Sequence, residues 1–191
     1  MKKKLFAVLI LMAFCQLKSF CQVTATVTDG GTVVTKLGMG ISVNDGSSLN
    51  RQFYTLNDTT CPIQLVNAGI YTTYLSSSYS FRPVGSITPK EPIVAYEIHY
   101  LLYNVFGEHI KTLSDTEISD FSVSKEPSKY SSWYASSNQV SEYFTCVSYI
   151  ANVRTKSGKI WRYDFNSIQS ELMKVKLKYD EDYTPLQDEK K

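Results

Sequence analysis

Hydrophobic and polar residues alternate along most of this chain in short segments of period two, which predicts β-strands. The first clear segment is Val23–Thr28, and the two longest are Ile93–Tyr103 and Phe144–Thr155. Clusters of Gly, Asn, Asp, Ser and Pro separate the segments, as is typical of all-β proteins. Further strands are predicted at Thr32–Leu37, around Ile41 and Val43, at Arg51–Leu56, around Ile63 and Leu65, and at Ile70–Leu75, Tyr79–Arg82, His109–Leu113 and Ile160–Tyr163.

The alternation also predicts which face of each long strand is buried. In Ile93–Tyr103 the even positions are expected to face the core and the odd positions the other side. In Phe144–Thr155 the odd positions from Val147 to Val153 are expected to share one face. Residues 114–132 are polar and include Pro127, which predicts an irregular connection.

One helix is expected near the end of the chain. Ile168, Leu172 and Val175 recur at helical spacing and form an apolar stripe that can pack on a sheet. Asn166 is predicted to cap this helix, with Gln169 reaching back toward the cap.

The predicted fold is therefore mostly β, an immunoglobulin-like antiparallel β-sandwich with one short C-terminal α-helix. A single domain is expected over residues 22–177, followed by a charged, loosely ordered tail at 178–191. The antibody signature is incomplete, because Trp133 lies close to Cys146 in sequence and Phe144 stands where a Tyr is usual. The prediction of a sandwich thus depends on strand number and spacing.

The N-terminus has the pattern of a secretory signal peptide. Three lysines precede the apolar run Leu5–Phe14, which is shorter than the roughly 20 residues that a membrane-spanning helix needs. Ser19 and Cys21 place small side chains at the −3 and −1 positions, so residues 1–21 are the predicted signal peptide and Gln22 the mature N-terminus. The alternative is a buried N-terminal helix.

Two cysteines in this region raise the alternative of a lipoprotein. A lipid-modified cysteine requires a small residue before it, but Phe14 precedes Cys15 and Phe20 precedes Cys21. The sequence therefore favours a soluble protein exported by the Sec route, either periplasmic or extracellular.

Charge gives no support for nucleic acid or an anionic membrane as a partner. The whole sequence has a net charge of +2, but four of its lysines belong to residues 1–21. Without them 16 basic residues face 18 acidic ones, and the mature chain is near −2.

Cys61 and Cys146 are the two cysteines of the predicted mature chain. An even number in an exported protein predicts one disulfide between them. Two separate buried thiols are the alternative.

Two segments, Ile93–Ser114 and Tyr149–Trp161, resemble uncharacterised exported bacterial proteins with small β-sandwiches of the immunoglobulin or fibronectin type III kind. The resemblance covers residues 70–175 and implies a fold class and an extracytoplasmic location, but no activity and no site residues. Asp58-Thr59-Thr60 also resembles an O-glycosylation site of exported proteins in some Gram-negative bacteria, which implies Thr59 as the acceptor.

No motif predicts catalysis, a metal or a cofactor. His99 and His109 are the only histidines, and with a four-residue turn His109 would lie opposite Leu102, on the face that His99 avoids. A three-residue turn would instead place both on one face. Glu97 is the first carboxylate to consider for acid–base chemistry, with a solvated strand face as the alternative.

Sequence motifs for two other kinds of site are also missing. No serine lies in a Gly-x-Ser-x-Gly motif. Gly38-Met39-Gly40 lacks the Lys-Ser/Thr of a phosphate-binding loop and is expected to form a bulge or turn.

Aromatic residues are unusually frequent, with 14 Tyr and 2 Trp in the sequence. Exposed Tyr and Trp can anchor a protein partner or stack on a sugar ring, although most strand tyrosines pack within or between sheets. The candidates for a binding patch are Tyr71, Tyr74, Tyr79, Trp133, Tyr134 and Trp161.

Three functions follow as expectations. The first is a non-enzymatic binding or accessory protein of the cell envelope that acts through protein contacts. The second is a carbohydrate-binding module, which requires coplanar exposed rings. The third is a small secreted hydrolase, which requires a cleft with two carboxylates or a Ser-His pair.

Overall fold

The computed structural model describes residues 23–27, 32–42, 48–75, 77–122 and 131–178. The predicted signal peptide, the tail from 179 onward, Val43 and Pro127 lie outside these ranges. Within them the chain is mostly β, with ten strands in two sheets and two helices. The elements are β1 Val23–Val27, β2 Thr32–Ser42, β3 Ser48–Asp58, β4 Ile63–Leu75, β5 Ser78–Pro89, β6 Ile93–Tyr103, β7 His109–Phe121, β8 Trp133–Ala135, α1 Ser137–Glu142, β9 Thr145–Thr155, β10 Ile160–Arg162 and α2 Phe165–Lys174.

The larger sheet has the strand order β1-β2-β3-β9-β6-β7, and β10 pairs with the second half of β9. Its neighbours are antiparallel except β3 and β9, where Gln52–Leu56 pairs in parallel with Thr145–Tyr149. The expectation of a purely antiparallel sandwich is wrong at this pair. A parallel pair needs a long crossover, and here the chain forms the smaller sheet and the β6–β7 hairpin between the two strands.

The smaller sheet has the order β4-β5-β8. Its inner face and the inner face of the larger sheet enclose one hydrophobic core. Phe81 and Ile87 come from the smaller sheet, and Ile98, Tyr100 and Leu102 from β6. The even positions of β6 from Tyr96 onward are therefore buried as predicted.

A second core lies on the outer face of the larger sheet, the face turned away from the smaller sheet. Ile168 and Leu172 of α2 pack there on Leu101, Tyr103 and Val147. The odd positions of β6 do face outward as expected, but Leu101 and Tyr103 are buried because α2 covers them.

A β-bulge in β9 changes the face of Val153. Ile98 pairs with Ile150 while Glu97 pairs with Asn152, so Ala151 is the extra residue. Val153 consequently lies in the core between the sheets, and the expectation that it shares a face with Val147 is wrong.

Three predicted breaks in strands are absent from the described residues. β2 runs through Gly38–Gly40 in unbroken register with β3, so this segment is neither bulge nor turn. β4 is one strand with a register shift between Val66 and Gly69. β7 extends to Phe121 because its residues remain paired with β6 up to that point. This contradicts the irregular connection expected from residue 114.

The predicted C-terminal helix is confirmed as α2, but it begins earlier. Asp164 is its N-cap and accepts a hydrogen bond from the Asn166 backbone N–H. The short helix α1 was not predicted, although Ser136 and Gln139 form a capping box at its start.

Arg51 joins both sheets and α1. Its side chain is buried, and its Nη1 donates to Thr72 Oγ1 of the smaller sheet at 2.9 Å. Nε donates to the Tyr143 carbonyl and Nη2 to the Val140 carbonyl, each at 2.9 Å. The guanidinium carbon lies 4.4 Å from the centre of the Tyr143 ring. Arg51 thus satisfies carbonyls at the end of α1 that would otherwise lack partners.

Arg51→Ala should lower the free energy of unfolding by about 3 kcal/mol, because it leaves buried acceptors without a donor. Urea denaturation at pH 7 measures this. Arg154→Ala, at an exposed arginine of β9, is the matched control and should change stability by less than about 0.5 kcal/mol. Equal effects of the two substitutions would contradict the role given to Arg51.

Cys61 and Cys146 are both buried free thiols, so the predicted disulfide is not formed in the structure. Cys146 lies opposite Phe53, whereas Cys61 follows Asp58 at the far end of β3. Asp58 lies five positions after Phe53, which corresponds to about 16 Å along a strand. A disulfide needs Cα atoms about 4.4–6.8 Å apart.

Burial raises the pKa of each thiol to about 12. Since the thiolate is the reactive form, a thiol reagent at pH 8 should label neither cysteine rapidly in the folded protein and both in urea. Labelling with an aromatic disulfide reagent measures this. Loss of labelling in urea without reductant would show that the two cysteines are oxidised.

Candidate functional site

The outer face of the larger sheet is covered by α2 at one end only. No residue of α2 lines the shallow depression at the other end, which has a volume of about 330 Å³. Two rows of side chains cross the strands there. The first row is Thr116, Glu97, Asn152 and Arg162, and the second is Ile118, Ala95, Arg154 and Ile160. We call these eight residues the outer-face patch.

Each row follows from strand register, since directly opposed residues share a face of a sheet. Glu97 on β6 pairs with Thr116 on β7 and with Asn152 on β9, which in turn pairs with Arg162 on β10. The bulge at Ala151 is what turns Asn152 and Arg154 toward this face.

A hydrogen-bonded network fixes the floor of the patch. His99 Nε2 lies 2.8 Å from Glu97 Oε1, and His99 Nδ1 lies 3.0 Å from the Tyr149 hydroxyl. The Asn152 amide donates to the other carboxylate oxygen of Glu97. Both oxygens of Glu97 therefore already have partners within the protein.

These contacts lower the pKa of Glu97. The hydrogen bond with His99 has the largest effect, burial opposes it, and the Asn152 hydrogen bond adds to the lowering. Glu97 is thus held as a carboxylate, which makes it a poor proton donor.

Glu97→Gln should destabilise the protein at pH 7. A carboxyl group whose pKa is lowered in the folded state stabilises the fold above its ordinary value of 4.5, and that contribution is lost as the pH falls through the folded-state value. The stability gap between wild type and variant should therefore shrink at about pH 3.

Urea midpoints at the two pH values measure this gap. Glu142→Gln, at an exposed position of α1, is the control and should show no such dependence. A gap for Glu97→Gln that is independent of pH would contradict the ionised state.

The rim of the patch combines cations with aliphatic side chains. Arg154 and Arg162 are exposed, and neither forms a hydrogen bond or ion pair in the part of the chain that the structure describes. Ile118 is 81% exposed and Ile160 54% exposed. A large exposed aliphatic side chain beside an unpaired arginine is typical of a contact surface.

The depression is poor in acidic side chains. Glu97 is the one carboxylate among the described residues that line the depression, whereas glycoside hydrolysis requires two. Within the described ranges, no group of three or more His, Cys, Asp or Glu converges so as to hold a metal ion. His109 pairs with Tyr103 and not with Leu102, and its Nε2 lies 2.9 Å from Thr112 Oγ1.

The six aromatic candidates do not form one exposed patch. Trp133 and Trp161 are buried in the core, and Tyr79 packs against it. Tyr74 is 60% exposed and its ring lies 4.6 Å from that of Tyr79 at a tilt of 48°. Tyr134 is 73% exposed but faces away from the core, unlike its neighbour Trp133.

Tyr71, the remaining aromatic candidate, is half-buried opposite Arg82 on the outward side of the smaller sheet. It thus shares a face with Tyr134 but is separated from it by β5. Of the six, Tyr74 and Tyr134 are the exposed ones, and they lie on opposite faces of the smaller sheet.

Thr59 is exposed in the turn after β3. Asp58 Oδ1 accepts hydrogen bonds from the Thr60 backbone N–H and hydroxyl, each at 2.7 Å, and Trp161 Nε1 donates to Thr60 Oγ1 at 3.0 Å. The turn is thus fixed while the Thr59 side chain stays accessible, as a glycosylation acceptor requires.

Sequence reasoning identified Glu97 but missed Ile118, Arg154, Ile160 and Arg162. The polar alternation in β9 was a usable signal for Arg154. That Arg154 shares a face with Glu97 depends on the bulge, and no residue type in the sequence predicts a bulge there.

Comparison with known proteins gave no match to a protein family, a curated protein or a solved structure. Among the described residues, no helix has both the length and the apolar character needed to cross a membrane.

Proposed function

We propose that this chain is a non-enzymatic, exported binding module of the immunoglobulin-like β-sandwich type, and that it contacts an envelope protein through the outer-face patch. Export rests on the signal-peptide pattern of residues 1–21. The observation that carries the binding role is the pair of unpaired arginines beside two exposed isoleucines on a sheet face that α2 leaves uncovered.

The immunoglobulin-like assignment is supported by two sheets that share one core, with Trp133 buried in it. The parallel pairing of β3 and β9 makes the larger sheet mixed, so the immunoglobulin-like proposal concerns the two-layer architecture and not the strand order.

Rigidity also supports the patch as a binding surface. Its side chains stand on four adjacent strands, and the Glu97 network holds its floor in place. A preformed surface loses little conformational freedom on binding, which favours affinity.

The carbohydrate-binding alternative has less support. Tyr74 and Tyr134, the most exposed tyrosines of the smaller sheet, lie on opposite faces of that sheet and cannot stack on one sugar chain together. The patch itself presents aliphatic side chains, which suit a protein partner better than a sugar.

Site-specific photo-crosslinking in the native envelope tests the proposal. A benzophenone amino acid placed at Ile160 should give a discrete crosslinked product, because this side chain borders the depression. The same residue placed at Tyr134, on the smaller sheet, is the control and should not give that product.

Arg154→Glu with Arg162→Glu should abolish the product from position 160, since the charge that attracts the partner is reversed. Both residues are exposed, so the fold should be retained. The proposal is wrong if position 160 gives no product or if the double substitution leaves the product unchanged.

A further inference from the structure

We propose that the outer-face patch binds the acidic C-terminal segment, residues 179–191, of a second copy of this chain. This inference rests on the proposed function, because it names the partner of the same surface.

The positive charge of the patch favours an acidic partner. Arg154 and Arg162 lie on adjacent strands at diagonal positions of the register, which places their Cα atoms about 7–8 Å apart. Glu97 is the carboxylate nearest to them in the outer-face patch. Its two oxygens are already hydrogen-bonded to His99 and Asn152. Two guanidinium groups thus remain available for carboxylates from outside.

The C-terminal segment has the complementary composition. Residues 179–191 contain five acidic residues and two lysines, a net charge of −3. Asp180-Glu181-Asp182 lies between Tyr179 and Tyr183, and Leu186 follows. Carboxylates for the arginines and aromatic or aliphatic side chains for Ile118 and Ile160 therefore occur within one short stretch.

The geometry points to a second copy as the source. The Lys178 backbone N–H donates to the Gly107 carbonyl at 2.8 Å, so the residue before the segment lies beside the β6–β7 turn. Glu97 lies six residues before Tyr103 on β6, a distance of about 20 Å along the strand. Asp182 is four residues beyond Lys178 and can extend no further than about 14 Å. An extended backbone from Lys178 to Asp182 is thus shorter than the distance to Glu97 of the same molecule, which favours a second copy as the source of this acidic cluster.

Each copy carries one patch and one segment, so the contact is heterologous. Such contacts close into rings or extend into chains according to the rotation between copies. The interaction depends on exposed charges and should weaken as salt screens them.

Sedimentation of the protein that spans residues 22–191 tests the inference. The wild-type protein should self-associate at about 0.02 M salt and dissociate at about 0.5 M. Arg154→Glu with Arg162→Glu, and separately Asp180→Lys with Glu181→Lys and Asp182→Lys, should each raise the dissociation constant by about tenfold or more.

Mixing the two variants provides the sharpest readout. The lysine-bearing segment of one variant now fits the glutamate-bearing patch of the other, so the equimolar mixture should associate although each variant alone does not. Lys90→Glu with Lys176→Glu reverses two exposed charges away from the patch and is the control, which should associate like the wild type.

The outcomes separate this inference from the proposed function. A wild-type protein that stays monomeric at low salt, or variants that fail to associate on mixing, would overturn the inference. If position 160 then still crosslinks to a different protein, the proposed function stands. Crosslinks from position 160 that map to residues 179–191 of another copy would support both.

Discussion

The packing of α2 on the outer face of the larger sheet divides that face into two parts with different chemistry. α2 has ten residues and is about 15 Å long, whereas β6 has eleven and spans about 36 Å. Under the helix, β6 presents Leu101 and Tyr103, which are buried. Beyond the helix, the same face of β6 presents His99, Glu97 and Ala95, and the outer-face patch begins there.

The inner side of the structure depends on a different kind of contact. Most of the core between the sheets consists of aliphatic and aromatic side chains, yet Arg51 lies within it. Burial lowers the pKa of Arg51, which shows the cost of placing this cation away from water. Three hydrogen bonds and the Tyr143 ring offset that cost and hold the end of α1 against both sheets. The parallel pairing of β3 with β9 starts directly beside this residue.

The patch and the cores are connected through β9. Its first half is paired with β3 and buried on both faces, while its second half is paired with β10 and carries Asn152 and Arg154. The bulge at Ala151 separates the two halves. Because a bulge shifts every following side chain to the opposite face, it both buries Val153 and exposes the arginine to solvent. The extra residue Ala151 thus determines both the packing of Val153 in the inner core and the position of Arg154 on the outer face.

The sequence by itself determined the mostly-β class, the bounds of β6, most of β9 and the existence of α2. These elements are set by local alternation and helical spacing, which a single strand or helix displays without its neighbours. The odd positions of β6 change from polar at Glu97 and His99 to apolar or aromatic at Leu101 and Tyr103. This change also indicates that only half of the outer face is covered.

Only the tertiary structure decided the parallel β3–β9 pair, the bulge, the position of Arg51 and the separation of Cys61 from Cys146. It also decided which aromatic residues are buried. Trp133 and Trp161 lie in the core, although an exposed ligand-binding platform would use the same residue type, so the residue type alone could not show their burial. Each of these features depends on which distant segment lies alongside, and pairing between distant segments is governed by the packing of the whole core and not by any local pattern.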